Sequence, residues 1–142
     1  MRKITHIVVH CTAGNQNNKA ADVVRYHTSP KPKGLGWSAP GYHYIVEADG
    51  TIVPTLPVEQ VSNGVSGHNS HIINVCYIGG VDTSKPELPP VDNRTPAQKA
   101  ALVGILRQLK AKFPDAEIVG HRDFNPGKAC PSFDARKEYA GL

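Results

Sequence analysis

No stretch of this chain approaches the roughly 18 consecutive apolar residues that a membrane-spanning helix needs. The longest apolar run, Ala100 to Leu106, belongs to an amphipathic helix. Met1-Arg2-Lys3 makes a basic start, but only Ile4 to Val9 follows, broken by Thr5 and His6. That is too short and too polar for a secretory signal core. The expectation is a chain made in the cytoplasm without an export address and with no membrane partner. Cysteine is scarce: Cys11, Cys76 and Cys130 are three in number, an odd count that, without a secretion signal, argues against a disulfide framework. Cys11 and Cys76 sit in apolar stretches and read as small buried hydrophobes with inert thiols, which argues against a cysteine hydrolase. Cys130, in a polar loop, is less simply explained by burial. A concentrated basic patch is missing too. The net charge is +4, from 16 Lys and Arg against 12 Asp and Glu, and aromatics make up 6%. Such spread charge favours approach to an anionic polymer, yet lacks the clustering and aromatic interleaving of a nucleic-acid surface. Internal repeats, low-complexity tracts and linkers are also absent.

What remains is 142 residues with 39% hydrophobic and 20% charged content, enough for one domain with one core over residues 1–142, expected as a monomer. Ile4 to Cys11 is β-branched and apolar, a buried strand. Asn18 to Thr28 predicts a helix with Ala21, Val24, Arg25 and Thr28 along one side. Ser29 to Pro40, with Pro30 and Pro32 between, is a loop. Gly41 to Ala48 and Thr51 to Thr55 are strands joined by a tight Asp49-Gly50 turn. Asn74 to Ile78 is a strand closed by Gly79-Gly80, and Asp82 to Asn93 is an exposed loop. Thr95-Pro96-Ala97-Gln98 spells a capping box with proline at the first helical position. Its helix carries Leu102, Ile105, Leu106 and Leu109 at helical spacing and stops at Pro114. Glu117 to Val119 is a short strand delivering His121. The order β-α-β-β-β-α-β predicts an α/β (α+β) fold with a central mixed sheet flanked by helices.

Chemistry concentrates near the end. His121 and Cys130 are nine residues apart in Gly120-His121-Arg122-Asp123 and Lys128-Ala129-Cys130-Pro131. His10, closing Ile7-Val8-Val9-His10, is a third ligand candidate. Two histidines and a cysteine leave the fourth position of a tetrahedral zinc open to water, which is the pattern of a catalytic site. Amide hydrolysis there needs a partner for the oxyanion and a proton for the leaving amine. Lys128, two residues before Cys130, and Tyr42, in Gly41-Tyr42-His43-Tyr44, are groups of the right kind. Their structural alternatives are a loop charge and a core aromatic. Asp123 either orients a ligand histidine or caps local backbone. His43, opposite in strand parity to Tyr42, reads as a packed histidine, and His6, His27, His68 and His71 as ordinary ones.

The chain resembles the zinc-dependent N-acetylmuramoyl-L-alanine amidases, a group spanning phage lysozyme-type amidases and peptidoglycan recognition proteins. The resemblance is carried in order by Ile7-Val8-Val9-His10-Cys11-Thr12-Ala13, Gly36-Trp37, Gly41-Tyr42-His43-Tyr44-Ile45-Val46 with Asp49-Gly50, Asn74-Val75-Cys76-Tyr77-Ile78-Gly79-Gly80, Thr95-Pro96-Ala97-Gln98, His121-Arg122-Asp123 and Lys128-Ala129-Cys130-Pro131-Ser132-Phe133-Asp134. It implies one Zn2+ per chain on His10, His121 and Cys130, with Tyr42 and Lys128 as the catalytic pair. It also implies a peptidoglycan or muropeptide substrate, and action on the cell wall after release in the manner of a phage lysin. The rival from another class is a peptidoglycan-binding module of the same fold without activity, against which Cys130, Tyr42 and Lys128 speak. One segment departs from the family's Ser-His-Ala pattern: Ser62-Asn63-Gly64-Val65-Ser66-Gly67-His68-Asn69, where His68 is the candidate substitute.

Overall fold

The computed structural model describes residues 2–142; Met1, part of the basic start, lies outside the described residues. Five strands build one sheet in the order β3-β2-β4-β1-β5. They are β1 (His6–Cys11), β2 (Tyr44–Val46), β3 (Ile52–Pro54), β4 (Ile72–Tyr77) and β5 (Glu117–Gly120). β4 lies in the middle; β1, next to it, pairs parallel with both β4 and β5, while β2 pairs parallel with β4 and antiparallel with β3. Parallel strands covered on both faces read as continuous apolar runs, which is why β1 and β4 show little alternation in sequence. The helices are α1 (Ala20–Thr28), α2 (Pro96–Lys112) and two one-turn pieces, α3 (His121–Phe124) and α4 (Ala135–Glu138). No helix among the described residues is long and apolar enough to cross a membrane.

The alternation is real in space. Ile7, Val9, Cys11, Ile73, Val75 and Tyr77 join the large core under α2, with Leu102, Ile105, Leu106 and Leu109 from the helix. The other face carries Val8 and Ile72 in one apolar group and Ile45 and Ile78 in another, beneath α1. His10, Asn74 and Cys76 belong to this second face by strand parity. α2 begins as the sequence indicates: Thr95 Oγ1 accepts from Gln98 N at 3.0 Å and Gln98 Oε1 accepts from Thr95 N at 3.0 Å. Buried Gln98 also donates through Nε2 to the Ile78 carbonyl at 2.9 Å, tying the helix start to the sheet. The Asp49-Gly50 turn is present, with Gly50 at φ +89° and Gly50 N donating to Glu47 O at 2.8 Å.

Two expectations need correction. α1 turns a different face inward: Ala20, Val23 and His27 are buried, not Ala21, Arg25 and Thr28. The two stripes differ by one position. His27 decides between them because its Nδ1 accepts the Gly41 N–H at 3.0 Å, a partner that an apolar count does not register. That same bond draws Gly41 toward α1, so the regular strand starts only at Tyr44 and Tyr42 precedes it.

The chain after α3 is held by a buried cation. Arg94, whose side chain is 2% exposed, pairs with Asp92 at 2.8 Å and Glu138 at 2.7 Å. It also donates to the Tyr139 hydroxyl at 2.9 Å and lies 3.4 Å over the Phe133 ring. Tyr77 donates its hydroxyl to the Pro131 carbonyl at 2.6 Å. Together these contacts pin the segment that carries Cys130 onto the end of β4.

Candidate active site

Three short connections bring the chemistry together at the C-terminal ends of β1 and β5. β1 carries His10 as its penultimate residue, β5 hands directly to His121 at the start of α3, and the loop before α4 supplies Cys130. The Nδ1 or Nε2 atoms of His10 and His121 and the Cys130 Sγ lie within 4.8 Å of one another, the one such group of metal-capable side chains among the described residues. Cys130 Sγ is 3.9 Å from His10 Nδ1, and the His10 and His121 ring centroids are 4.8 Å apart. A tetrahedral zinc with ordinary bond lengths would space such atoms by about 3.3–3.6 Å. The set therefore fits a metal with a closure of under about 1.5 Å, and its N, N, S chemistry suits zinc.

The electrostatics favour ligand forms. His10 is 1% exposed, and burial, reinforced by His121, pushes its pKa down to about 3. Burial and the nearby Lys128 ammonium lower His121 as well. Both imidazoles are thus neutral at neutral pH. The neighbouring Cys11 thiol and burial raise Cys130, so a cation is what would make it a thiolate. Cys130 Sγ already accepts the Cys11 N–H at 3.2 Å, a contact that a thiolate strengthens.

Above the three lies a cavity of about 230 Å3 lined by Cys11, His27, Trp37, Tyr42, His121, Lys128 and Cys130, among others. Tyr42 and Lys128 therefore enter the same space as the ligand candidates. The Tyr42 ring sits 5.1 Å from His10 and 5.3 Å from His27, which in turn rests 4.9 Å from Trp37. Burial, then the Cys76 and Cys130 thiols, hold the Tyr42 phenol well above its usual pKa. It is a neutral phenol at neutral pH, not a phenolate. Lys128 is exposed, on a turn where its N–H donates to Asn125 O at 3.0 Å. A second hollow of about 320 Å3 shares Trp37, His121 and Lys128 with the first and continues past His68 and Phe124, whose rings lie 4.7 Å apart. The largest hollow, about 550 Å3 along Asp22, Tyr26 and Lys31, contains none of these groups.

A model of the family described as N-acetylmuramoyl-L-alanine amidase matches residues 1–133. The chain belongs to the N-acetylmuramoyl-L-alanine amidase family. The Endolysin of Enterobacteria phage K11 is 36% identical to this amidase over 138 residues, 96% of this chain and 85% of that one. Among solved structures, the Ph2119 endolysin from Thermus scotoductus MAT2119 bacteriophage Ph2119 has a TM-score of 0.75 at 28% identity, covering 92% of this chain and 79% of that one. The amidase LysC from Clostridium intestinale URNW has a TM-score of 0.78 at 25% identity, with coverage of 97% and 83%. The expected mixed-sheet fold and amidase resemblance are thereby shown.

Other residues of the amidase take definite roles. Asp123 takes the backbone-capping alternative: its Oδ2 accepts the Gly120 N–H at 2.8 Å. His27 is a wall of the cavity as well as a packed residue. Asn74 was legible only as part of a strand, yet its Oδ1 meets His10 Nε2 at 2.7 Å. The signal was available: a lone amide inside Ile72-Ile73-Asn74-Val75-Cys76 must find buried partners. Cys76 is fully buried, and burial raises its thiol well above the usual pKa, so it is no nucleophile.

His43 is fully buried, and burial pushes its pKa down to about 4, with Arg2 adding and the Gln60 carbonyl opposing. Between pH 6.5 and 4 the unfolded chain takes up a proton at this position that the folded chain refuses. Stability therefore falls as pH falls through that window. At pH 5 the metal-free amidase should be less stable than at pH 7 by roughly 2 kcal/mol from His43, and His10 acts in the same direction. Urea midpoints at the two pH values check this; equal midpoints would show that His43 is protonated in the fold.

Proposed function

We propose that this amidase is zinc-dependent and cuts the amide between the lactyl group of N-acetylmuramic acid and the L-alanine that begins the stem peptide of peptidoglycan. The observation that carries the reading is the meeting of His10, His121 and Cys130 donor atoms within 4.8 Å in a cavity that Tyr42 and Lys128 also line. A zinc ion bound there supplies a Lewis acid and lowers the pKa of a coordinated water. The chain's own groups do the rest. The Lys128 ammonium faces the carbonyl oxygen as it gains charge, and the neutral Tyr42 hydroxyl positions the attacking water or passes a proton. The adjoining hollow past Trp37 and His68 gives an extended polymer room beyond the cavity. The match to phage proteins named Endolysin supports action on the cell wall after release, and the protein would work there as a monomer.

The test joins metal analysis to product analysis. Purified protein should hold about one zinc per chain, and Cys130→Ser should weaken zinc binding sharply. Digestion of purified peptidoglycan should free stem peptides with new L-alanine amino termini and leave the glycan strands intact. New reducing sugar ends in their place would overturn the amidase reading; bound muropeptide with no cleavage would support the recognition module.

A further inference from the structure

Behind His10 runs a chain of polar groups with no exposure: His10 is 1% exposed and Asn74, Ser62 and His43 are 0% exposed. Taken together with the Ser62–His43 bond, the donors and acceptors run in one direction. The Asn74 backbone N–H donates to His43 Nδ1 at 3.0 Å, so that nitrogen carries no proton. The His43 proton is then on Nε2, which donates to the Gln60 carbonyl at 2.8 Å. The Arg2 guanidinium donates to the same carbonyl at 3.0 Å, which accounts for its approach to His43. With Nδ1 an acceptor, the Ser62 hydroxyl donates to it at 3.3 Å and must itself accept from the Asn74 amide N–H2 at 2.6 Å. That fixes which way the amide points: Asn74 Oδ1 is turned to His10 Nε2 at 2.7 Å. His10 must therefore carry its proton on Nε2, and its Nδ1, the atom facing Cys130, is left with a lone pair.

The amide is also held sterically. A Cβ on Gly64 would overlap the Cγ, Oδ1 and Nδ2 of Asn74, so this glycine is what lets the loop close over the amide. Ser62 and Gly64 both lie in the segment that departs from the family pattern.

We propose that Asn74, oriented by Ser62 and His43 and clamped under Gly64, is the positioning residue that locks His10 as the Nε2–H tautomer and so presents Nδ1 to the metal. In this view the Ser62–Gly64 stretch serves the metal site from behind, not the substrate from in front. The inference takes His10 as a metal ligand, which is the reading proposed above, but its first readout needs no metal. In the metal-free protein the 15N shifts of His10 should be of pyrrole type at Nε2 and pyridine type at Nδ1. Asn74→Leu should mix the tautomers and weaken zinc binding, measured by chelator competition, by about 10- to 100-fold. Asn74→Asp, which keeps an acceptor for Nε2–H, should hold the tautomer and restore most of the affinity, which a merely space-filling role would not predict. Ser62→Ala and Gly64→Ala disturb the amide without removing it. They should each weaken zinc measurably, and they decide the matter if Asn74→Leu does not fold. A wild-type His10 protonated on Nδ1 would overturn the proposal, as would zinc affinity and tautomer unchanged in both Ser62→Ala and Gly64→Ala. If the wild-type protein takes up no zinc, the zinc reading falls, while the tautomer measurements still judge Asn74.

Discussion

Lys128→Ala should leave the fold and the metal in place and lower kcat by about 100- to 1000-fold, the usual cost of losing one group that meets an oxyanion. The residue is exposed on a turn and shares no packing with the core, so its removal creates no cavity. It nevertheless lines the same cavity as His121 and Cys130, and its charge lowers both imidazoles. Because the contact forms only as charge develops, KM should change much less than kcat. Lys128→Arg should rescue partly, since a planar guanidinium does not reproduce a compact ammonium. Tyr42→Phe should behave similarly, removing a neutral donor while keeping the ring against His10 and His27. Near wild-type hydrolysis by both variants with zinc bound would defeat the mechanism and leave the family assignment standing.

The parts of this site legible in the sequence were those that local rules determine. β1 is a run that only a buried central strand satisfies, so the placement of His10 at a strand end followed from its edge of polarity at Thr12. The α2 boundaries followed from the Thr95 and Gln98 caps and Pro114. What was illegible depends on contacts between segments far apart in sequence. The inward face of α1 was set by the Gly41 N–H reaching His27, and the same contact shortened β2. Asn74 meets His10 across 64 positions, and no spacing rule links them. Asp123 resolved to the local alternative, accepting the Gly120 N–H three residues away.

Long-range contact also governs Cys130, and Arg94 is where that dependence can be measured. Arg94→Ala should destabilise the protein at neutral pH by about 3 kcal/mol, the lower end for removing one partner of a buried ion pair. The lower end applies because Asp92 and Glu138 keep side-chain exposures of 31% and 44%, so water can solvate part of their released charge. In the wild type, the Arg94 guanidinium holds both carboxyls below the usual range. Depressed carboxylates contribute stability above their unfolded pKa and lose it as pH falls through the folded one. The gap between wild type and Arg94→Ala should therefore be full at pH 7 and shrink below about pH 4. Arg94→Lys should recover little, since one ammonium cannot serve Asp92, Glu138 and Tyr139 together. The variant should also bind zinc more weakly, because the Phe133 ring under the guanidinium is three residues from Cys130, and its support would be gone. Denaturant melts at pH 7 and pH 3.5, beside a zinc titration, measure both effects. A loss below about 1 kcal/mol at pH 7, the scale of an exposed pair, would mean that Arg94 does not anchor the cysteine-bearing segment.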